Sequence, residues 1–185
     1  MILPGVIASS GGVASSFESI QTYTLSTDTS SITFSSIAAT FSHLQIRAFA
    51  RTNRNDTLDY FQIQCNGDTA ANYVSHFLYG EGGGSAAAGA NTGLSSMRNL
   101  YLPGNNATAS VFGTFIVDIL DYTSTNKTKV IRSLGGFDAN GSGIASLQSG
   151  MWTTSNAAIY SITLTPISSN SFKTYSSFAL YGVKA

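Results

Sequence analysis

The chain has 185 residues, and its nine Lys/Arg cancel its nine Asp/Glu, so it carries no net field to gather nucleic acid or an anionic membrane surface. Charged residues make up only 10% of it against 43% hydrophobic and 11% aromatic, which excludes a charge-rich disordered chain and fits one sizeable core. A single cysteine, Cys65, excludes an intrachain disulfide and a thiolate metal cluster, and no apolar run approaches the ~18 residues needed to span a bilayer.

So weakly charged a surface suits a molecule covered by neighbours, or a folded domain that simply carries few charges. The first sixteen residues, "MILPGVIASSGGVASS", lack the basic start of a signal peptide, and Pro4 and Gly5 interrupt the apolar run. They read as an arm, residues 1–16, whose Ile2, Leu3, Pro4, Val6 and Ile7 would dock on a neighbour; the alternative is a disordered tail.

From residue 17 to 185 period-two patterns recur every ~8 to 15 residues. "SIQTYTLS" (19–26) and "SSITFSSI" (30–37) come first. "HLQIRAFAR" (43–51) sets Leu44, Ile46, Ala48 and Ala50 on one face, with His43, Gln45, Arg47, Phe49 and Arg51 on the other. "DYFQIQCNGD" (59–68) turns Phe61, Ile63 and Cys65 inward and ends in the turn pair Asn66-Gly67. "NYVSHFLYG" (72–80) is followed by "EGGGSAAAGANTG", which reads as a low-complexity loop. "SSMRNLYLPG" (95–104) resumes the pattern. "SVFGTFIVDILDY" (110–122) is apolar in both phases, which predicts a strand covered on both sides. "KVIRSLGGFD" (129–138), "IASLQSGMWT" (144–153), "AIYSITLTPI" (158–167) and "KTYSSFALYGV" (173–183) complete the series. The expectation is an all-β fold: one antiparallel β-sandwich of jelly-roll type with about ten strands, preceded by the extended arm.

Signatures of chemistry are thin. There is no Gly-x-Ser-x-Gly elbow or phosphate-binding Gly-rich loop, and His43 and His76 stand in separate strands. Asp118 and Asp121, three apart on a strand, point to opposite faces and cannot flank one bond; Asp118 is expected to pair with Arg47 or Arg132. "DANGSG" (138–143) opens like a calcium loop, but Ser149 stands where the closing glutamate belongs, so a hairpin turn is expected. The reading is of a protein that is not an enzyme and has no cofactor and no metal.

Arg47, Phe49, Arg51 and Arg54 have the composition of an interface patch, although a solvated strand face has the same pattern. Trp152 and the nine tyrosines are aromatic plates to weigh as glycan contacts, Trp152 first, against core or interface packing. The closing "SFALYGVKA" is strand-like and sticky where chains usually fray, so Phe178, Leu180 and Tyr181 need cover, within the sandwich or in a seam between copies.

The frame carried by "HLQIRAFAR", "DILDYTSTNKTK" and "FALYGVK" resembles small virion proteins of tailed bacteriophages, as in phages of cyanobacteria and other aquatic bacteria. It extends from about Phe17 onward and leaves out the first sixteen residues and the segment 82–93. The resemblance implies a β-sandwich component of the particle without catalytic residues. In one form it would be a capsid cement (decoration) protein, made in the host cytoplasm, that sits as a homotrimer on the major capsid protein at the outer capsid surface, contacting neither nucleic acid nor membrane. In the other it would be a tail or fibre piece that binds a host receptor or glycan. The lack of a shaft or coiled-coil segment favours the cement form.

Overall fold

The computed structural model describes residues 15–154 and 156–184. Among these, all regular structure is strand: β1 (Phe17–Thr24), β2 (Ile32–Phe34), β3 (His43–Ala50), β4 (Leu58–Cys65), β5 (Tyr73–Glu81), β6 (Ala86–Leu94), β7 (Met97–Pro103), β8 (Gly113–Leu120), β9 (Lys129–Asp138), β10 (Gly143–Trp152), β11 (Ile162–Pro166) and β12 (Ser177–Val183). An eight-stranded sheet in the order β1-β12-β3-β8-β9-β10-β5-β6 faces a four-stranded sheet in the order β2-β11-β4-β7, and every pairing is antiparallel. The expected β-sandwich is there, with twelve strands in place of about ten. Ile2, Leu3, Pro4, Val6 and Ile7 lie outside the described residues.

One of the added strands is β6, in the Gly/Ala segment expected to be a loop. Its ladder comes entirely from β5, and small residues let β5 reach across it. A Cβ at Gly89 would stand 2.6 Å from the Phe77 ring, so glycine here makes room for that side chain. Asn66 and Gly67 do form a tight turn, both at positive φ (54° and 67°), closed by the Asp68 amide on the Cys65 carbonyl at 2.9 Å. The turn joins no hairpin: β4 pairs with β7 and β11, and the chain passes here from the small sheet to the large one.

The core lies between the sheets because alternate residues of β3, β4, β8 and β12 are apolar and point inward. Leu44, Ile46, Phe61, Ile63, Val117, Ile119, Phe178 and Leu180 are all buried. Phe61 of the small sheet meets Phe115 of the large one edge-to-face at 5.2 Å, and Phe172 packs on Phe178 at 4.7 Å. Such pairs add about 0.5–1.5 kcal/mol to the ~1.5–3 kcal/mol of burying each ring. The sticky terminal segment is β12, and its cover is the sandwich itself. Of the two covers expected for Phe178 and Leu180, the sandwich is the one they have, and both are core residues.

Asp68, just past the turn, fastens the start of β5 to the end of β10. Its Oδ2 accepts from Trp152 Nε1 at 2.7 Å, Thr154 Oγ1 at 2.8 Å and Asn72 Nδ2 at 2.9 Å, and its Oδ1 from the Ala70 amide at 2.9 Å. Burial alone would raise this carboxyl. The hydrogen bonds from Trp152, Asn72, the Ala70 amide and Thr154 outweigh it and hold the group at about 2, below its ordinary 3.8. A carboxyl lowered on folding contributes stability above its unfolded value and loses it as pH falls through its folded one. The thermal midpoint should therefore drop between roughly pH 4 and pH 2, and Asp68→Asn should flatten that limb. An acid limb with the same slope in the variant would assign it to other groups. Buried Asp59, pushed upward by desolvation, works in the opposite sense, contributing at low pH and losing that contribution as pH rises.

Candidate interaction face

The antiparallel register carries alternate residues of the eight-stranded sheet to its outer side, away from the small sheet. One cross-strand row there runs Ala179, Arg47, Ile116, Leu134, Leu147, Leu78, Ala88, each residue paired with the next across six successive ladders. Four large apolar side chains thus stand side by side on β8, β9, β10 and β5. They are exposed, from 43% at Ile116 to 61% at Leu134.

The row alongside is polar: Tyr181, Gln45, Asp118, Arg132, Ser149 and His76. It is internally bonded. Arg132 Nη2 reaches Asp118 Oδ2 at 3.0 Å, Gln45 Nε2 donates to Asp118 Oδ1 at 2.9 Å, and Arg47 Nε donates to Gln45 Oε1 at 2.9 Å. The Arg47 guanidinium also lies over the rings of Tyr181, at 5.1 Å, and Phe17, at 5.6 Å. Each charge is held in place beside the apolar row. Beyond the polar row, Leu120 and Val130 are exposed again, and beyond the apolar row Phe49 stacks on Phe112 at 5.0 Å.

The interior beneath β9 and β10 has the reverse character. Ser133, Ser146 and Gln148 point inward and are buried. Ser133 Oγ donates to Gln148 Oε1, Gln148 Nε2 donates to the Asn99 carbonyl at 2.6 Å, and Ser146 Oγ donates to the Gly135 carbonyl at 3.3 Å. These two strands bury hydrogen-bonded polar groups and present leucines to the outside. Polar-in, leucine-out is the inverse of the pattern of a sheet whose outer face meets only water.

The residues expected to form one interface patch divide. Arg47, Phe49 and Tyr181 share the outer face. Arg51 does not, because β3 ends at Ala50 and the alternation ends with it. The Arg51 side chain is buried, and its guanidinium donates to four backbone carbonyls: Thr108 at 2.7 Å, Ala107 at 2.9 Å, Val111 at 3.0 Å and Asn105 at 3.1 Å. It clasps the β7–β8 connection. Arg54, in the β3–β4 connection, is paired with Asp56 at 3.4 Å and Asp59 at 3.5 Å, apart from Arg47 and Phe49. Trp152 is 2% exposed, stacked near Tyr73 and bonded to Asp68, so it is a core residue and offers no plate to a sugar.

Asp118 takes Arg132 as its partner, one of the two arginines expected. Asp121, past the end of β8, binds Lys127 Nζ at 2.6 Å, which draws its carboxyl below the ordinary range. At 138–143 the carboxylate of Asp138 accepts from the amides of Asn140 and Gly141 in a hairpin turn. Ile116, Leu134, Leu147 and Leu78 were missed as surface residues. The doubly apolar 110–122 segment predicts cover on both sides, whereas its second side is the exposed outer face. The inverted pattern of "IRSL" and "SLQS", leucine in phase with charge and serine, was the available signal.

No protein family, curated protein or solved structure matches the chain.

Proposed function

We propose that the chain is a structural component of a bacteriophage particle, a cement protein that binds the outer surface of the capsid lattice and performs no reaction. The observation that carries this reading is the exposed apolar row across β8, β9, β10 and β5, a surface built to be covered. The low charge content and the resemblance, from about Phe17 onward and apart from 82–93, to small virion proteins point the same way. We also read the strand order, β1-β12-β3-β8 opposite β2-β11-β4-β7 with the hairpins β5–β6 and β9–β10 extending one sheet, as that of a jelly roll, which supports the same reading.

The mechanism is linkage. A ligand that binds only the assembled lattice shifts assembly toward it, and several attachment points raise effective concentration. Residues 2–15 are one such point in this reading. Their deletion should leave the fold intact and weaken co-sedimentation with purified capsids by about tenfold or more. An electron-microscopy map of the particle tests the assignment itself: density over the shell is expected, and density at the tail, or absence from particles, overturns it.

A further inference from the structure

The outer face of the eight-stranded sheet fits a second copy of itself. Eight of its large apolar side chains, Phe17, Phe49, Leu78, Ile116, Leu120, Val130, Leu134 and Leu147, are 40–61% exposed. With full areas of ~150–200 Å² each, they present on the order of 700 Å² over the whole face, about half of it in the unbroken row Ile116, Leu134, Leu147 and Leu78. Two such faces together hide on the order of 1,400 Å², within the ~1,200–2,000 Å² of a stable specific interface.

The charges fit the same occupant. Asp118 and Arg132 are cross-strand neighbours on β8 and β9. A two-fold axis running along the strands between β8 and β9 exchanges the two strands. It lays Ile116 of each copy on Leu134 of the other and sets Asp118 of each opposite Arg132 of the other. Apolar row meets apolar row and opposite charges meet, with the sheets at the ~10 Å spacing of a sandwich. A partner surface of one charge sign would leave either Asp118 or Arg132 facing its like.

We propose that two copies of the chain pair outer sheet face to outer sheet face, with Leu134 near the centre. This symmetric pair stands in place of the trimer expected from the sequence. It rests on reading the face as covered, the observation that also carries the capsid assignment, and names a second copy as the cover.

Light scattering on the full chain over a dilution series tests it. The wild type should run near twice 19.4 kDa. Leu134→Glu should run at one copy, with circular dichroism and thermal midpoint unchanged apart from the loss of pairing. Its self-association should be weaker by on the order of 100-fold or more, because a symmetric contact counts the buried charge twice. Arg132→Asp should also separate the copies, and the double variant Asp118→Arg/Arg132→Asp should restore the pair. A wild type at the mass of one copy even at high concentration overturns the proposal, as does Leu134→Glu with the wild-type mass. A pair that ignores capsids upholds this inference and removes the proposed function. A single copy that decorates capsids does the reverse and gives the face to the shell.

Discussion

Replacing Arg51 by methionine should cost at least about 3 kcal/mol of folding stability and release the 105–111 segment from exchange protection. The side chain is buried, and its four bonds all go to main-chain carbonyls. Desolvation lowers the guanidinium from its ordinary value, but an arginine keeps its proton in the folded state. Each carbonyl left dry and unpaired costs about 1–3 kcal/mol, and local opening to water recovers part of the total. Methionine keeps much of the stem volume and so separates the lost bonds from a lost shape. The backbone at this residue is tied in as well: the Arg51 amide donates to Ser176 Oγ at 3.2 Å, and its carbonyl accepts from the Lys173 amide at 2.8 Å. One residue thus holds three connections together. Arg51→Lys should fall between, since a point ammonium with three donors cannot span four spread carbonyls. Urea denaturation with an unchanged m-value reads the effect; a loss under about 1 kcal/mol would show that the clasp is not what orders the loop.

Trp152→Ala should cost about 3–5 kcal/mol, the range for truncating a large buried aromatic. The indole lies 6.4 Å from the Tyr73 ring and donates to Asp68, so the truncation opens a cavity and removes one of the bonds that hold that carboxylate ionised. Trp152→Phe separates the two effects. It retains most of the packing and loses the N–H, with an expected cost of about 1–2 kcal/mol at neutral pH. That cost should shrink as acid protonates Asp68, because a neutral carboxyl has less use for the donor. A pH-independent difference would place the whole effect in packing. Trp152 is the only tryptophan in the chain, so wild-type unfolding can be followed by its fluorescence.

Much of the sandwich was legible because inward alternation is a local signal. Leu44, Ile46, Ala48 and Ala50 on β3, and Phe61, Ile63 and Cys65 on β4, point where the period places them. Strand β6 was not legible, since alanine and glycine carry no alternation and the ladder is supplied by β5. Arg51 shows the other limit: a face assignment holds only while the strand continues, and β3 stops one residue short. The outer face was hidden for a non-local reason. Ile116, Leu134, Leu147 and Leu78 come one from each of four strands, and only the register of the three ladders between them makes a surface of them. For β8 the sequence announced two apolar sides, but whether a second sheet or another molecule covers the second side is set by tertiary packing.

The position of β12 has a consequence for how the molecule comes into being on the ribosome. Strand β12 lies between β1 and β3, and among the described residues it is the one neighbour of β1 in the sheet. While the chain is being made, β1 must wait with its edge unmated until β12 emerges. At ~5–20 residues per second, that wait lasts on the order of ten seconds after β3 is complete. The nascent chain therefore carries an open slot one strand wide, and closing it is the event that commits the first and last strands to one sheet.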